Sequence, residues 1–173
     1  MGIKVLFIYP NTYGMNMLPP AIALFSALLK DHGHSVDLFD ATYYQTDHGI
    51  DSDGTKAERL NVVPFSASEK GIKMRETNWS DDIKGKVEDF QPDLIALSTT
   101  EDMWLLGVRM LDEIREFITR YKTPVIVGGV FPTFAPELVI KNDLVDMVCG
   151  GEGEKSMIDL CDRIKKGNSW DDV

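Results

Sequence analysis

The sequence predicts a doubly wound α/β sandwich, a parallel sheet with helices packed on both faces. Three observations predict it. Short β-branched apolar runs alternate five times with longer segments of helical periodicity. The runs are continuously apolar, as strands covered on both faces are. The chain's 173 residues suffice for five β/α units in one domain, since a fold of this size buries roughly 70% of its unfolded surface and needs neither disulfides nor metals for a core.

The expected strands are Lys4–Tyr9, Ser35–Phe39, Leu94–Ser98, Val125–Val127 and Met147–Val148 with its approach from Leu144. Helices are expected at Pro19–Asp31, Ser80–Phe90, Met103–Tyr121, Pro136–Asn142 and Glu154–Lys166. Ile22, Phe25, Leu28 and Leu29 recur at helical spacing in the first, and Gly33 supplies its left-handed stop. Leu106, Met110, Ile114, Phe117 and Ile118 form a similar stripe in the third. Helices between parallel strands make right-handed crossovers. Five such units match the flavodoxin-like order 2-1-3-4-5 better than a six-stranded dinucleotide fold. Residues 41–79 break the alternation. This polar stretch, punctuated by Gly49, Gly54, Pro64 and Gly71, reads as an insertion after the second strand, with Leu60–Phe65 a candidate short strand. Residues 1–167 are expected to form the domain, and 168–173 the start of a linker into a further one.

Composition excludes several function classes. The 18 Lys+Arg against 28 Asp+Glu leave a net charge of −10, which disfavours nucleic acid and anionic membrane surfaces. The hydrophobic fraction of 43% and charged fraction of 27% argue against disorder. Apolar runs such as Val5–Tyr9 and Val125–Val130 are far shorter than the roughly 20 residues of a membrane span. The N-terminus enters its first strand without a cleavage site, so a cytoplasmic location is expected. Cys149 and Cys161 are too few and too far apart for a zinc ribbon or a CxxC pair, and reduced structural thiols are expected.

Ligands of open α/β sheets sit at the carboxyl ends of the strands, beside the point where connections diverge. The loops that meet there contain Asn11-Thr12-Tyr13-Gly14, Ser98-Thr99-Thr100, Gly128-Gly129-Val130-Phe131-Pro132-Thr133 and Gly151-Glu152-Gly153-Glu154. Each has a plainer reading. Gly128-Gly129 suits a tight strand-to-helix turn, Ser98–Thr100 suits helix capping, and the Glu152/Glu154 pair suits a helix N-terminus. Their coincidence at one rim favours a ligand. No GxxxxGK[ST] or GxGxxG pattern is present, so the rim suits a large polar ligand better than a nucleotide phosphate.

In this order and spacing, six segments carry a resemblance. They are Lys4–Pro10, Pro19-Pro20, Gly33–Asp40, Pro92–Ser98, Val127–Thr133 and Gly151–Glu154. The sequence resembles the cobalamin-binding domain that lies N-terminal to the catalytic barrel of cobalamin-dependent radical S-adenosylmethionine enzymes. The resemblance implies that cobalamin docks on the strand ends, with its nucleotide tail descending between the sheet and the loops after the third and fourth strands. Ser98 and Thr100, flanking Thr99, would hydrogen-bond the tail. Gly128 and Gly129 would let backbone approach it. Val130, Pro132, Thr133 and Gly151, Glu152, Gly153 and Glu154 would border tail or corrin, and Asn11, Thr12, Tyr13 and Gly14 would lie beneath the corrin.

One departure stands out. Relatives with a histidine below cobalt carry Asp-x-His-x-x-Gly after the first strand. Aligned on Gly14, this chain has Tyr9 and Asn11 in those places, so no protein imidazole is expected on cobalt from this loop. The radical enzymes hold an iron–sulfur cluster with a CxxxCxxC loop, which two cysteines cannot form. The chain alone is therefore expected to be non-catalytic, with S-adenosylmethionine and the cluster in a C-terminal barrel that also receives the parent's small-molecule substrate. Methyl transfer and ring-forming radical chemistry are the activities that the resemblance implies. The alternative is a cobalamin-free scaffold or sensor of the same fold. An FMN site is disfavoured, because the first loop offers only Thr12 before bulky Tyr13, Met15 and Met17.

Other features read plainly. His32 and His34, spaced HxH, suit a solvent-facing helix end rather than a metal site. Glu101-Asp102 lacks a partner nucleophile for acid–base work. Trp104 is open to either ligand packing or helix anchoring. Asp40 resembles a ribose-binding acid but lacks the glycine fingerprint.

Overall fold

The computed structural model describes residues 2–12, 19–46, 69, 71 and 73–170. Five parallel strands, β1 (Lys4–Tyr9), β2 (Ser35–Asp40), β3 (Leu94–Ser98), β4 (Val125–Gly128) and β5 (Met147–Val148), form one sheet in the order β2-β1-β3-β4-β5. This is the flavodoxin-like order expected from the alternation. The candidate strand at Leu60–Phe65 lies outside the described residues, as do Tyr13 and Gly14.

Helices α1 (Pro20–Asp31) and α7 (Glu154–Lys166) cover one face, and α2 (Trp79–Phe90), α3 (Trp104–Glu113) and α4 (Arg115–Tyr121) the other. Their boundaries follow local chemistry. Proline at the first position opens α1, where its missing N–H costs nothing. The Asn78 side chain accepts from Ser80 N at 2.8 Å to cap α2, with Asp81 and Asp82 in its positive first turn. Basic Arg163, Lys165 and Lys166 close α7.

Two helices differ from expectation. The single helix expected over Met103–Tyr121 is broken at Ile114, whose N–H turns back to Leu111 O at 3.2 Å in a tighter bond than the α-helical one. Arg115 straddles the break, bonding Asp112 at 2.7 Å and Asp143 at 2.7 Å. The helix expected over Pro136–Asn142 is the short α6 (Pro136–Val139). It is preceded by a further short helix, α5 (Val130–Phe134), where a loop was expected.

The two ends of the 41–79 insertion are clasped together. Arg75 N donates to Tyr43 O at 2.7 Å, and the Arg75 guanidinium lies 5.0 Å from the centre of the Tyr44 ring. Tyr44 is buried against Phe39 and donates to Asp82 at 2.7 Å. Burial, then the bond to Asp82, pushes the Tyr44 phenol up to about 12. The chain thus returns at Arg75 to the place where it left β2 at Tyr43, just before it enters α2.

The amino ends of the strands are closed by side chains. Asp93 accepts from Lys4 N at 2.8 Å, Asp146 from Val125 N at 2.8 Å, and the His34 ring from Ile3 N at 3.2 Å.

Candidate functional site

The opposite, carboxyl edge is open. Alternation along the strands sends Leu6, Ile8, Ile95, Leu97, Val125 and Val127 toward α2–α4, and Val5, Phe7, Leu94, Ala96 and Ile126 toward α1 and α7. On the second face the register aligns Phe7, Ala96 and Ile126 across β1, β3 and β4, with Ser98 beside Gly128 one step further along. A small residue therefore stands in the middle of the first row, and two small residues make the second. The space they leave is a slot of about 530 Å³ between the sheet and the helices α1, α5 and α7.

Its depth is apolar: Phe7, Ile22, Phe25, Ala96, Ile126 and Met157 line it. Phe7 and Phe25 stack with ring centres 6.3 Å apart. Its mouth is ringed by Ser98, Gly128, Gly129, Thr133 and the Gly151–Glu154 turn. Three exposed apolar side chains, Leu24, Val130 and Phe134, stand at the same opening.

The mouth is fixed by a short network. Thr133 Oγ1 donates to Gly129 O at 2.8 Å and accepts from Gly151 N at 3.2 Å, joining α5 to the turn before α7. Thr99 N donates to Gly128 O at 3.0 Å. Gly129 has φ 112°, and a Cβ on it would lie 2.5 Å from Thr99 O. Only glycine fits both the conformation and the approach. It turns the chain sharply enough for α5 to begin at once and lie over the slot.

The sequence-predicted residues thus divide. Ser98, Gly128, Gly129, Val130, Thr133, Gly151, Glu152, Gly153 and Glu154 come together at the slot. Asn11, Thr12, Thr99, Thr100 and Pro132 are not among its lining residues. Pro132 is the buried residue of α5. Asn11 Nδ2 donates to Thr42 Oγ1 at 2.8 Å, and Thr42 Oγ1 donates to Asp40 at 2.5 Å, so the Asn11 carboxamide is held by a relay from the end of β2. The buried hydroxyls of Thr12 and Thr100, in the loops that leave β1 and β3, have no hydrogen-bond partner among the described residues. Buried hydroxyls rarely stay unpaired.

The capping reading of Ser98–Thr100 does not hold, since α3 starts at Trp104 with Met103 as its N-cap and no side-chain cap. Trp104 packs on Phe131, ring centres 5.8 Å apart, and does not line the slot. Asp40 accepts from Thr42 N and Oγ1. His32 is exposed as expected, but His34 is buried, its ring engaged by Ile3 N. Both flank the start of β2, at the far edge from the slot, and among the described residues no group of three or more metal-ligating side chains occurs. Burial, then Glu154, pushes the Cys149 thiol up; burial, then Asp162, pushes Cys161 up to about 12. Both remain protonated thiols rather than nucleophiles. No described helix is long and apolar enough to cross a membrane.

The inner wall was not foreseen. Phe7 read as part of an apolar strand and Ile22 and Phe25 as a helix stripe, while Met157 was not singled out. The available signal was Ala96, the one small residue within Leu94-Ile95-Ala96-Leu97.

Comparison with known proteins places this geometry. Among curated proteins, 4'-phospho-dehydrooxetanocin synthase of Priestia megaterium is 33% identical over 87 residues, 49% of this chain and 12% of that protein. Among solved structures, the radical S-adenosylmethionine methyltransferase TsrM from Kitasatospora setae superposes with a TM-score of 0.68 at 18% identity, over 96% of this chain and 26% of its own. The cobalamin-dependent S-adenosylmethionine radical enzyme OxsB, with aqua-cobalamin and S-adenosylmethionine bound, gives 0.65 at 21% identity, over 99% of this chain and 20% of its own. At these identities the two structures establish a shared fold, and this chain spans only a minor part of each relative. The profile of the B12 binding domain matches residues 8–160. That match runs from β1 into α7 and takes in every loop of the rim, and on it the chain belongs to the B12 binding domain family.

Proposed function

We propose that this chain is the cobalamin-holding module of a larger radical S-adenosylmethionine enzyme. The observation that carries the reading is the slot itself, apolar in its depth and polar at its mouth, opening at the carboxyl edge of the sheet. A flat apolar base suits the depth, and the phosphate and sugar of a nucleotide tail suit the mouth. Cobalamin, when bound, supplies a cobalt centre able to carry a methyl group.

The residues of the chain bind and orient. Ser98 offers a hydroxyl at the mouth, and Gly128 and Gly129 admit backbone approach. Thr133 keeps the α5 wall and the Gly151–Glu154 turn in register, and Thr12 and Thr100 supply hydroxyl donors above the sheet. Asn11, held through Thr42 by Asp40, occupies the place where histidine-ligating relatives carry their imidazole. In this reading no protein imidazole ligates cobalt. The barrel, S-adenosylmethionine, the iron–sulfur cluster and the substrate belong in this reading to the remainder of the parent, whose reaction is methyl transfer or related radical chemistry.

The test is to mix the purified chain with excess hydroxocobalamin, desalt it and record the absorbance spectrum. Retained cobalamin with its benzimidazole base displaced, lost in Ser98→Tyr, supports the proposal. If the folded chain retains nothing at tens of micromolar, the cobalamin-free scaffold takes its place.

A further inference from the structure

The chain leaves β2 through Asp40-Ala41-Thr42, a sequence in which an aspartate can accept from the backbone two residues on. It does so here: Asp40 Oδ1 accepts from Thr42 N at 2.9 Å and from Thr42 Oγ1 at 2.5 Å. Thr42 is itself fixed in place. On one side of it Ala41 N donates to Tyr9 O at 3.1 Å, and on the other Tyr43 O accepts from Arg75 N at 2.7 Å. Thr42 and Asn11 are 3% and 1% exposed, so water does not compete for the bond between them.

The direction of this relay follows from which groups can donate. A carboxylate only accepts, so the one hydroxyl proton of Thr42 is committed to Asp40. Thr42 Oγ1 can then only accept, and of the two ends of the Asn11 carboxamide only the NH2 donates. The amide end therefore faces Thr42 at 2.8 Å, and the carbonyl oxygen is turned away from it. We infer that Asp40 is a positioning residue of the site: acting through Thr42, it fixes which way the Asn11 carboxamide faces in the loop leaving β1, and so the polarity that this loop offers a ligand. Without Asp40 the Thr42 hydroxyl can turn and donate to the Asn11 carbonyl, and the carboxamide can take the reverse orientation. The inference rests on the proposed cobalamin function and adds to it a residue that does not line the slot.

Nitrogen-edited NMR of the purified chain follows the Asn11 side-chain amide, and equilibrium titration with hydroxocobalamin follows affinity. Asp40→Ala and Thr42→Val are expected to shift the Asn11 amide resonances and to weaken hydroxocobalamin binding about fivefold or more, the effect of losing one buried hydrogen bond. Asp40→Asn, whose carbonyl can still accept from Thr42, and Thr42→Ser, which keeps the hydroxyl, are expected to stay within about twofold of the wild type. Tyr44→Phe, which loses the neighbouring bond to Asp82, is the control for stability alone, expected to lower the melting temperature without moving the Asn11 resonances. Asn11 resonances unmoved by Asp40→Ala overturn the inference, as does an Asp40→Asn as damaging as Asp40→Ala. Moved resonances with unchanged affinity also overturn it and leave the cobalamin function standing. If the wild type binds no hydroxocobalamin, the cobalamin function fails instead, and the resonances alone decide the relay.

Discussion

The two faces of this sheet are made by the same strands, yet one is filled and the other hollowed. Facing α2–α4, Leu6, Ile8, Ile95, Leu97, Val125 and Val127 are all large, and all are essentially without exposure. Facing α1 and α7, β3 falls from Leu94 to Ala96 and Ser98 and β4 from Ile126 to Gly128 as the strands approach their carboxyl ends, while β1 keeps Val5 and Phe7. A site here is the omission of side-chain volume at alternate positions of one face. Because the strand period is two, that omission leaves the packing of the other face intact.

The largest contrast is expected from paired truncations and fillings. Leu97→Ala on the filled face removes buried volume against α3 and is expected to cost about 3 kcal/mol, lowering the melting temperature by about 10 °C. Ala96, only 4% exposed, lines the slot one residue earlier on the hollowed face, so Ala96→Leu is expected to cost less than Leu97→Ala. Calorimetric melts of the two variants decide it, and equal losses would mean the hollow is packed shut in solution.

Next in size is Gly129→Ala. A non-glycine residue at φ 112° with its Cβ pressed on the Thr99 backbone is expected to cost roughly 2 kcal/mol. It also displaces α5 and so weakens corrinoid binding. Gly150→Ala, where nothing lies within 4 Å of the added Cβ, is the matched control, expected to leave stability nearly unchanged in the same denaturant titration.

How much of this was visible beforehand follows the same division. Continuous apolar runs and helical stripes were enough for five strands in order 2-1-3-4-5, since both depend on periodicity alone. The break at Ile114 was not legible, because no glycine or proline marks it and Arg115 straddles it through Asp143, a partner distant in sequence. Helix α5 was hidden by Pro132 and by β-prone neighbours, and depends on the Gly129 turn and the Thr133 bond for its place. The rim glycines and Ser98 were legible as loop residues after strands. The inner wall was not, since a phenylalanine facing a slot and one facing a core share the same pattern.

Away from the site, smaller effects sharpen the contrast between the two edges. Tyr44→Phe deletes the bond to Asp82 that helps clasp the insertion and is expected to cost about 1 kcal/mol. Asp82 itself is held below the usual carboxylate range, first by the Thr77 hydroxyl and then by Tyr44. Its stabilising contribution is therefore present above the ordinary carboxylate range and is lost as pH falls through the depressed value.

The smallest effect concerns His34, which closes the amino edge. Burial lowers its pKa, opposed by Asp162 and reinforced by Lys165 and His32. The unfolded chain then binds the proton more readily than the fold, so stability is retained above about pH 6.5 and declines as pH drops below it. Protonation also removes the acceptor for Ile3 N. Melting temperatures from pH 7.5 to 5.5 are expected to fall more steeply for the wild type than for His34→Gln.

The most direct test of the hollowed face is methyl NMR of the chain with hydroxocobalamin, whose aromatic base shifts nearby methyl resonances through its ring current. The expected result is large perturbations at Ala96, Ile126, Ile22 and Met157 and small ones at Leu6, Leu97 and Val127. Perturbations largest on the filled face, or spread evenly over both, would contradict the account.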